Sequence, residues 1–435
     1  MSSASKELTM TDTALAHVLV FTIIAVSLAL MLARPRGIRE VYWIGCGVGL
    51  LLVLRLVPLR LVGHAVAEGA DVYFFLIGMM LLSELAREHG VFDWLSSIAI
   101  RGARGSCARL FLLVYAVGTA VTILMSNDAT AVVLTPALLT AVRKAKVAPM
   151  PYLFACAFIA NAASFVLPIS NPANLVVFHS GMPSLGRWLL AFALPSVISI
   201  ATTWVVLRWM FNRELSGRVE SDVETKRLDA NGKLVVGGLG IVVAVLLIVS
   251  ALRMDLGLPT LLAALAITAV VSVKARENPL RLAREISWET IALVAGLFVM
   301  VNAVENIGAL RVTQEWLVWV ESLAPAAGAL VAGFAVAVGN NLVNNLPLGL
   351  IAGATLNAAH AQRLITNAVL IGVDLGPNLS ITGSLATILW LLALRKEGLD
   401  VSFWSFLKVG MVAMPSALLL SVGGAILIQA VFSAR

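Results

Sequence analysis

The chain has 435 residues, of which 60% are apolar and only 13% charged, with a formal net charge of +7 and a mean hydropathy of +0.95. A soluble domain is nearer 45–50% apolar and about 25% charged, so the composition argues against a soluble enzyme and against a nucleic-acid-binding protein. The positive balance instead fits Lys and Arg collected in loops on one side of a membrane.

The first apolar run, 14–33, is followed by Arg34, Arg36 and Arg39, while Lys6 before it is offset by Glu7 and Asp12. That pattern predicts a spanning helix anchored at its C-terminal side rather than a cleaved signal. A bilayer core of roughly 30 Å takes about 20 apolar residues per helix. Further plain spans are expected at 41–60, 72–87, 187–211, 234–252, 257–273, 290–308 and 403–431. Trp188 and Trp209, near the ends of one of these, fit an interfacial aromatic belt. Four regions, 107–142, 152–182, 325–358 and 364–394, are apolar but too long for one span, and each carries a polar cluster in its middle. Amphipathic pieces lie near 92–104 and 312–322. The segment 212–233 mixes both charge signs without apolar periodicity and reads as a cytoplasmic linker.

With the N-terminus outside, most of the 31 Lys and Arg fall on one side, among them Arg143, Lys144, Lys146, Arg281, Arg395 and Lys396. This works only if 107–142 and 325–358 are re-entrant hairpins. The expected fold is therefore an all-α polytopic membrane protein of a bacterial inner membrane, with both termini outside. It divides into inverted repeats, 1–211 and 234–435, joined by the linker at 212–233. Each repeat has a hairpin and a broken transmembrane helix, an arrangement typical of transporters.

The chemistry is expected where helices break, because backbone that leaves a helix in lipid must be satisfied by protein or a watery cavity. The first hairpin tip carries Ser126, Asn127 and Asp128; the second carries Asn340, Asn341, Asn344, Asn345 and Pro347. Ser, Asn and Asp are good N-caps, so a half-helix can start at each tip with its positive end toward a solute. Pro347 suits the first turn of the returning helix. The first broken helix carries Asn161, Ser164, Pro168, Ser170, Asn171, Pro172 and Asn174, and its two prolines disfavour helix on their N-terminal sides. The second carries Asp374, Gly376, Pro377, Asn378, Ser380, Thr382, Gly383 and Ser384.

Two roles are open for the amides and hydroxyls. Asn127, Asn344 and Asn345 either meet solute or only cap helices; Ser170, Asn171, Asn174, Ser380 and Thr382 either meet solute or only satisfy broken backbone. Pro168, Pro172, Pro347 and Pro377 are read as helix-breaking. Asp128 and Asp374 are read as functional, since an ionisable side chain at membrane depth is costly. Glu84 and Glu305 lie near span ends and are expected to snorkel or pair, and Asp71 and Glu289 to be interfacial.

Cys46, Cys107 and Cys156 form no CxxC or Cys/His cluster, so neither a disulfide framework nor a metal site is expected. A thiolate at Cys156 could bind trivalent arsenic, but a lone buried Cys is more often a small core hydrophobe. No HExxH, GxSxG or GxxxxGK[ST] motif occurs, so neither those enzyme classes nor a phosphate loop is indicated, and no cofactor is expected.

At the four interruptions the sequence resembles the arsenical pump membrane proteins, arsenite efflux permeases of the ion transporter superfamily. The matching residues are Asn127 and Asp128 followed by Leu134, Thr135 and Pro136, then Ser170 and Asn171 with Asn174. In the second half they are Asn344 to Pro347 and Asp374 to Pro377, running into Gly383 to Trp390. The resemblance covers nearly the whole chain. It implies export of arsenite and antimonite, driven by proton exchange or with a soluble arsenical ATPase as partner, and it leaves a homodimer open. It also implies a scaffold with a moving transport part built from the hairpins and broken helices. Sodium-coupled dicarboxylate carriers of the superfamily resemble it too but carry Ser-Asn-Thr at the tips, where this chain has Asp128 as the third residue. Substrate contacts are expected at Asn127, Ser170, Asn171, Asn174, Asn344, Asn345 and Thr382, and proton handling at Asp128 and Asp374. Arsenous acid is rich in hydroxyls, which amides match as both donors and acceptors. The alternative within transport is a sodium/proton antiporter.

Overall fold

A computed structural model describes residues 3–433 except 180, 220–226 and 309. The chain is an all-α polytopic membrane protein; among the described residues the strand-like pairing is one isolated bridge, Ser106 with Arg218. Eight described helices are long and apolar enough to cross a membrane, or nine if one bent pair is counted as a span.

The first half begins with α1 (Ser3–Ala33), α2 (Glu40–Val53), α3 (Leu59–Glu68), α4 (Ala70–Glu88) and the amphipathic α5 (Val91–Gly102). The region 41–60, expected as one span, is two pieces instead. Arg55 adopts a left-handed φ of 55°, and Pro58 restrains the residue before it, so α2 stops at 14 residues. The bent pair is α3 and α4, which meet at 48°. The chain continues through α6 (Cys107–Leu124), α7 (Thr135–Lys144), α8 (Met150–Ala162), the short α9 (Pro172–Val177) and α10 (Leu185–Met210).

Of the expected linker, 220–226 lies outside the described residues. Its end is already helical, because Asp229 caps α11 (Ala230–Ala251) by accepting the Gly232 amide at 2.6 Å. There follow α12 (Gly257–Ala275), a short α13 (Pro279–Glu285) that the sequence reading did not anticipate, α14 (Trp288–Asn306) and the amphipathic α15 (Leu310–Ser322). The last elements are α16 (Pro325–Val343), α17 (Asn345–Ala358), α18 (Arg363–Leu375), α19 (Leu385–Lys396) and α20 (Phe403–Ser433).

Specific contacts fix which ends share a face. At one face, the Tyr152 hydroxyl donates to the Cys107 carbonyl (3.3 Å) and the Cys107 amide to the Gly217 carbonyl (3.4 Å). The same face holds the Arg143–Glu397 ion pair (3.0 Å). The start of α6, the end of α7, the start of α8 and the segment after α10 are therefore together. At the other face, Thr313 and Thr355 share a hydrogen bond (2.8 Å) and Glu321 accepts the Gln362 amide (2.8 Å). The ends of α15 and α17 and the starts of α16 and α18 meet there. The two faces are separated by the 26 residues of α10, about 39 Å of helix at 1.5 Å per residue, since its start lines a cavity with Arg363. Hence α6–α7 and α16–α17 each return to the face they left, while α8–α9 and α18–α19 cross in opposite directions.

Ion pairs sit toward helix ends. Glu84 pairs with Arg87 and Glu289 with Arg39; Glu305 is exposed; Asp71 accepts the Gly257 amide at 2.6 Å. Trp209 is exposed as an interfacial residue should be, but Trp188 is not. Its ring is fully buried against Phe178 and Phe192, and its Nε1 donates to the Phe165 carbonyl at 3.1 Å. A neighbouring broken backbone supplies the acceptor that a belt Trp would take from water.

Candidate functional site

The broken helices stop after 13 residues each, about 20 Å of rise, well inside a hydrocarbon core of roughly 30 Å. Backbone there must find partners, and the polar side chains named from the sequence provide many of them.

In the first break, Pro168 opens a 3₁₀ turn to Ser170 and Pro172 is the first residue of α9. The Asn174 Nδ2 donates to the carbonyls of Ser164 (2.9 Å), Leu167 (3.3 Å) and Pro168 (3.3 Å). Ser170 Oγ accepts the Leu167 amide and donates to the Ile123 carbonyl, both at 3.2 Å. Asn171 caps α9, its Oδ1 accepting the Ala173 amide at 3.0 Å, and its Nδ2 donates across to Asp374 Oδ1 at 2.6 Å. A second bridge between the broken helices runs from Asn161 Nδ2 to Asn378 Oδ1 (2.9 Å), with Asn378 Nδ2 donating to the Phe158 carbonyl (3.0 Å).

The second break is bound to its own hairpin. Asn340 Nδ2 donates to the carbonyls of Gly372 (3.0 Å) and Val373 (2.7 Å). Asn341 donates to Gly376 (3.1 Å) and accepts from the Ser380 hydroxyl (2.6 Å), while Thr382 Oγ1 donates to the Asn341 carbonyl (3.1 Å). Pro377 lies in the 3₁₀ turn Gly376–Asn378. Asn344 holds the tip at φ 79° and ψ 153°, an extended positive-φ conformation that favours glycine. Its Oδ1 accepts the Leu346 amide (3.4 Å) and its Nδ2 reaches the Thr382 carbonyl (3.5 Å). Pro347 falls in the first turn of α17, where amides lack intrahelical partners anyway. Asn345 is buried, and its side chain makes no hydrogen bond to a described residue.

The first tip is held differently. Ser126 Oγ caps the returning arm by accepting the Ala129 amide (3.2 Å), and 129–134 form a π-helical turn. Thr130 stitches the arms together through Thr122 (2.8 Å) and the Gly118 carbonyl (3.4 Å). Asn127 is buried with an unpartnered Oδ1. Asp128 is half-buried and makes no hydrogen bond or ion pair with a described residue.

The structure thus joins Asn171 with Asp374 and Asn344 with Thr382, while no hydrogen bond ties Asn127 or Asp128 to them. The crossing elements also interlock: the returning arm of the first hairpin packs on α19 and that of the second, α17, on α9. A Cβ at Gly353 would lie 2.5 Å from the Val177 carbonyl oxygen, so the second contact needs glycine. Buried oxygens without partners among the described residues recur across the breaks: Oδ1 of Asn127, Asn161, Asn174 and Asn340, and Oδ2 of Asp374. No Lys, Arg or His occurs in 121–135, 158–178, 337–347 or 372–387. Among the described residues no group of three His, Cys, Asp or Glu could hold a metal, and Cys156 is buried and free.

Asn161, Asn340, Asn341 and Asn378 carry as much of this network as the residues singled out from sequence. The usable signal was helical spacing, Asn340 and Asn341 standing one turn before Asn344 and Asn345.

The profile of the citrate transporter family (CitMHS) matches residues 8–373. The arsenical pump membrane protein of Yersinia enterocolitica is 27% identical over 417 residues, covering 90% of this chain and 94% of that one. Its counterpart in Escherichia coli strain K12 is 25% identical with the same coverage. An uncharacterized transporter of Mycobacterium tuberculosis is 27% identical over 79% of this chain and 82% of its own. The crystal structure of the Alcanivorax borkumensis YdaH transporter, described as having an unusual topology, aligns with a TM-score of 0.56 at 12% identity, covering 86% of this chain and 87% of that one.

Proposed function

The chain belongs to the citrate transporter family and is a multi-pass membrane transporter rather than an enzyme, and from that premise we propose that it exports arsenite and antimonite in exchange for protons. The observation that carries this reading is the set of buried amide and carboxylate oxygens at the breaks, in segments without a cationic side chain. A hydroxyl-rich neutral solute can donate to such oxygens. A citrate anion would need cationic donors to replace its water, which these segments lack, and would meet Asp128 and Asp374 instead. The arsenical pump proteins of two enteric bacteria, similar along nearly the whole chain, support the same solute.

In this reading 1–211 and 234–435 are inverted repeats, and the opposite directions of α8–α9 and α18–α19 support it. The protein sits in a bacterial inner membrane with both termini outside. The hairpins and broken helices form the moving part, exposing the tips to each side in turn. Solute meets Asn127 and Asn345, with Asn171, Asn344 and Thr382 holding the surrounding backbone. A neutral solute gains nothing from membrane voltage, so uphill export needs another driving force. Asp128, without a partner among the described residues, takes a proton outside and releases it inside; Asp374, the second acid, stays bonded to Asn171 within the moving part. A soluble ATPase and a second copy of the chain are partners compatible with this scheme.

Arsenite uptake into everted vesicles, with an imposed pH gradient and then with the gradient collapsed, tests it. Gradient-dependent uptake is expected. The unpartnered oxygens would also suit a hard cation, which favours sodium/proton exchange as the second reading. Sodium-dependent proton flux with no arsenite uptake would put that reading first.

A further inference from the structure

On the face where α16 and α18 begin, a cavity of about 810 Å³ lies between the start of α10, the start of α18 and the end of α20. Its rim carries Arg187, Arg253 and Arg363, all exposed, and none has an ion-pair partner among the described residues. Among the described residues no Asp or Glu lines it; the other polar groups are neutral, including Thr366, Asn367 and Gln429. Buried Trp188 and Phe192 form its floor, while Leu190 and Phe432, 57% and 53% exposed, add apolar surface to its lining.

Three free guanidiniums at one helix-end level make a receptor for phosphate, since each presents a planar fork of donors matched to phosphate oxygens. The apolar floor and the exposed apolar side chains beside it are of no use to a small soluble anion, but they suit an acyl chain. We propose that this cavity binds one acidic phospholipid, its phosphate on Arg187, Arg253 and Arg363 and one chain against Trp188, Phe192 and Phe432. The cavity also takes in Phe178, just beyond α9, and the first turn of α18, so the lipid touches both broken helices while resting on α10 and α20. The proposal is independent of which solute is carried.

The test is native mass spectrometry of the purified full-length chain, titrated with phosphatidylglycerol or with phosphatidylcholine of identical chains. A one-to-one adduct favouring phosphatidylglycerol is expected. Each basic residue near an acidic lipid surface is worth roughly fivefold in affinity, so R187Q/R253Q/R363Q should lose at least about tenfold of that preference. The variant R101Q/R104Q/K233Q, at a basic cleft of the opposite face, should keep it. Absence of preference, or its survival in the first variant, overturns the assignment. Equal competition by glycerol phosphate overturns it in favour of a soluble anion. Should the triple variant not fold, a photoactivatable phosphatidylglycerol on the unaltered protein decides. Labelling at 185–192 and 425–432 supports the site, and labelling elsewhere alone refutes it.

Discussion

The two hairpin tips use nearly the same residue types and are secured in different ways. The second is laced to the break that follows it: Asn340, Asn341 and Asn344 all reach backbone between Gly372 and Thr382, and Ser380 and Thr382 reach back. The first is laced mainly to itself through Thr122, Thr130 and Ser126, with Ser170 reaching the Ile123 carbonyl as its tie to the following break. The acids differ in parallel, Asp374 being fully buried and bonded to Asn171 and Asp128 half-buried without a partner among the described residues. The second tip therefore spends three of its four asparagines on holding broken backbone and leaves Asn345 uncommitted, while the first leaves the Asn127 amide oxygen and the Asp128 carboxylate without a partner among the described residues. In the proposed exchange, the carboxylate without a partner among the described residues is the one that takes the proton.

The largest effect is expected from Asp128→Asn, which keeps size and polarity but cannot titrate. Uptake driven by a pH gradient should fall to the level seen with the gradient collapsed, while thermal unfolding in detergent is unchanged. Gradient-driven uptake persisting in this variant would remove the contrast between the two acids.

Asp374→Ala attacks the other side of the comparison. It strands the buried Nδ2 of Asn171, at about 1–3 kcal/mol for an unsatisfied polar group, and should appear as lost stability even without substrate. Asp374→Asn restores an acceptor and should recover most of that loss. If Asp374→Ala unfolds like the parent protein, the Asn171–Asp374 bond is not a structural tie.

Asn344→Ala should cost roughly 1 kcal/mol from the lost cap, since both residues carry a Cβ at the same positive φ. Asn344→Gly should cost only a few tenths for the cap. Chemical denaturation of the two variants checks this, and equal losses would mean that the tip conformation is not what Asn344 supplies.

The pattern behind this contrast was partly legible in the sequence. The positions of the four interruptions, the two amphipathic pieces and the all-helical polytopic fold follow from apolar run lengths and from Pro and Asn placed where spans should continue. The assignment of roles within the clusters does not. Asn174 and Asn345 are both amides in apolar surroundings, yet one donates to three carbonyls and the other to no described residue. Which carbonyls a break leaves open is set by how the two halves meet, a contact between residues some 200 positions apart. Trp188 was misplaced for the same reason, its acceptor being a carbonyl freed by the first break. The early stop of α2 turned on a left-handed Arg55 and on Pro58, a helix breaker inside the run expected as one span.

The smallest expected effect is also the most discriminating. Asn127→Ala and Asn345→Ala each remove one amide that the surrounding backbone does not use. A hydrogen bond to a neutral solute contributes about 0.5–1.5 kcal/mol, so each variant should raise the apparent KM for arsenite roughly 2- to 12-fold. Maximal rate and thermal stability should stay near the parent values, because no buried partner is stranded. Asn174→Ala should do the reverse, lowering stability through three abandoned carbonyls with KM changed only as far as the break distorts. If Asn127→Ala and Asn345→Ala behave like Asn174→Ala, the uncommitted amides are structural after all, and the solute must be met by backbone at the tips.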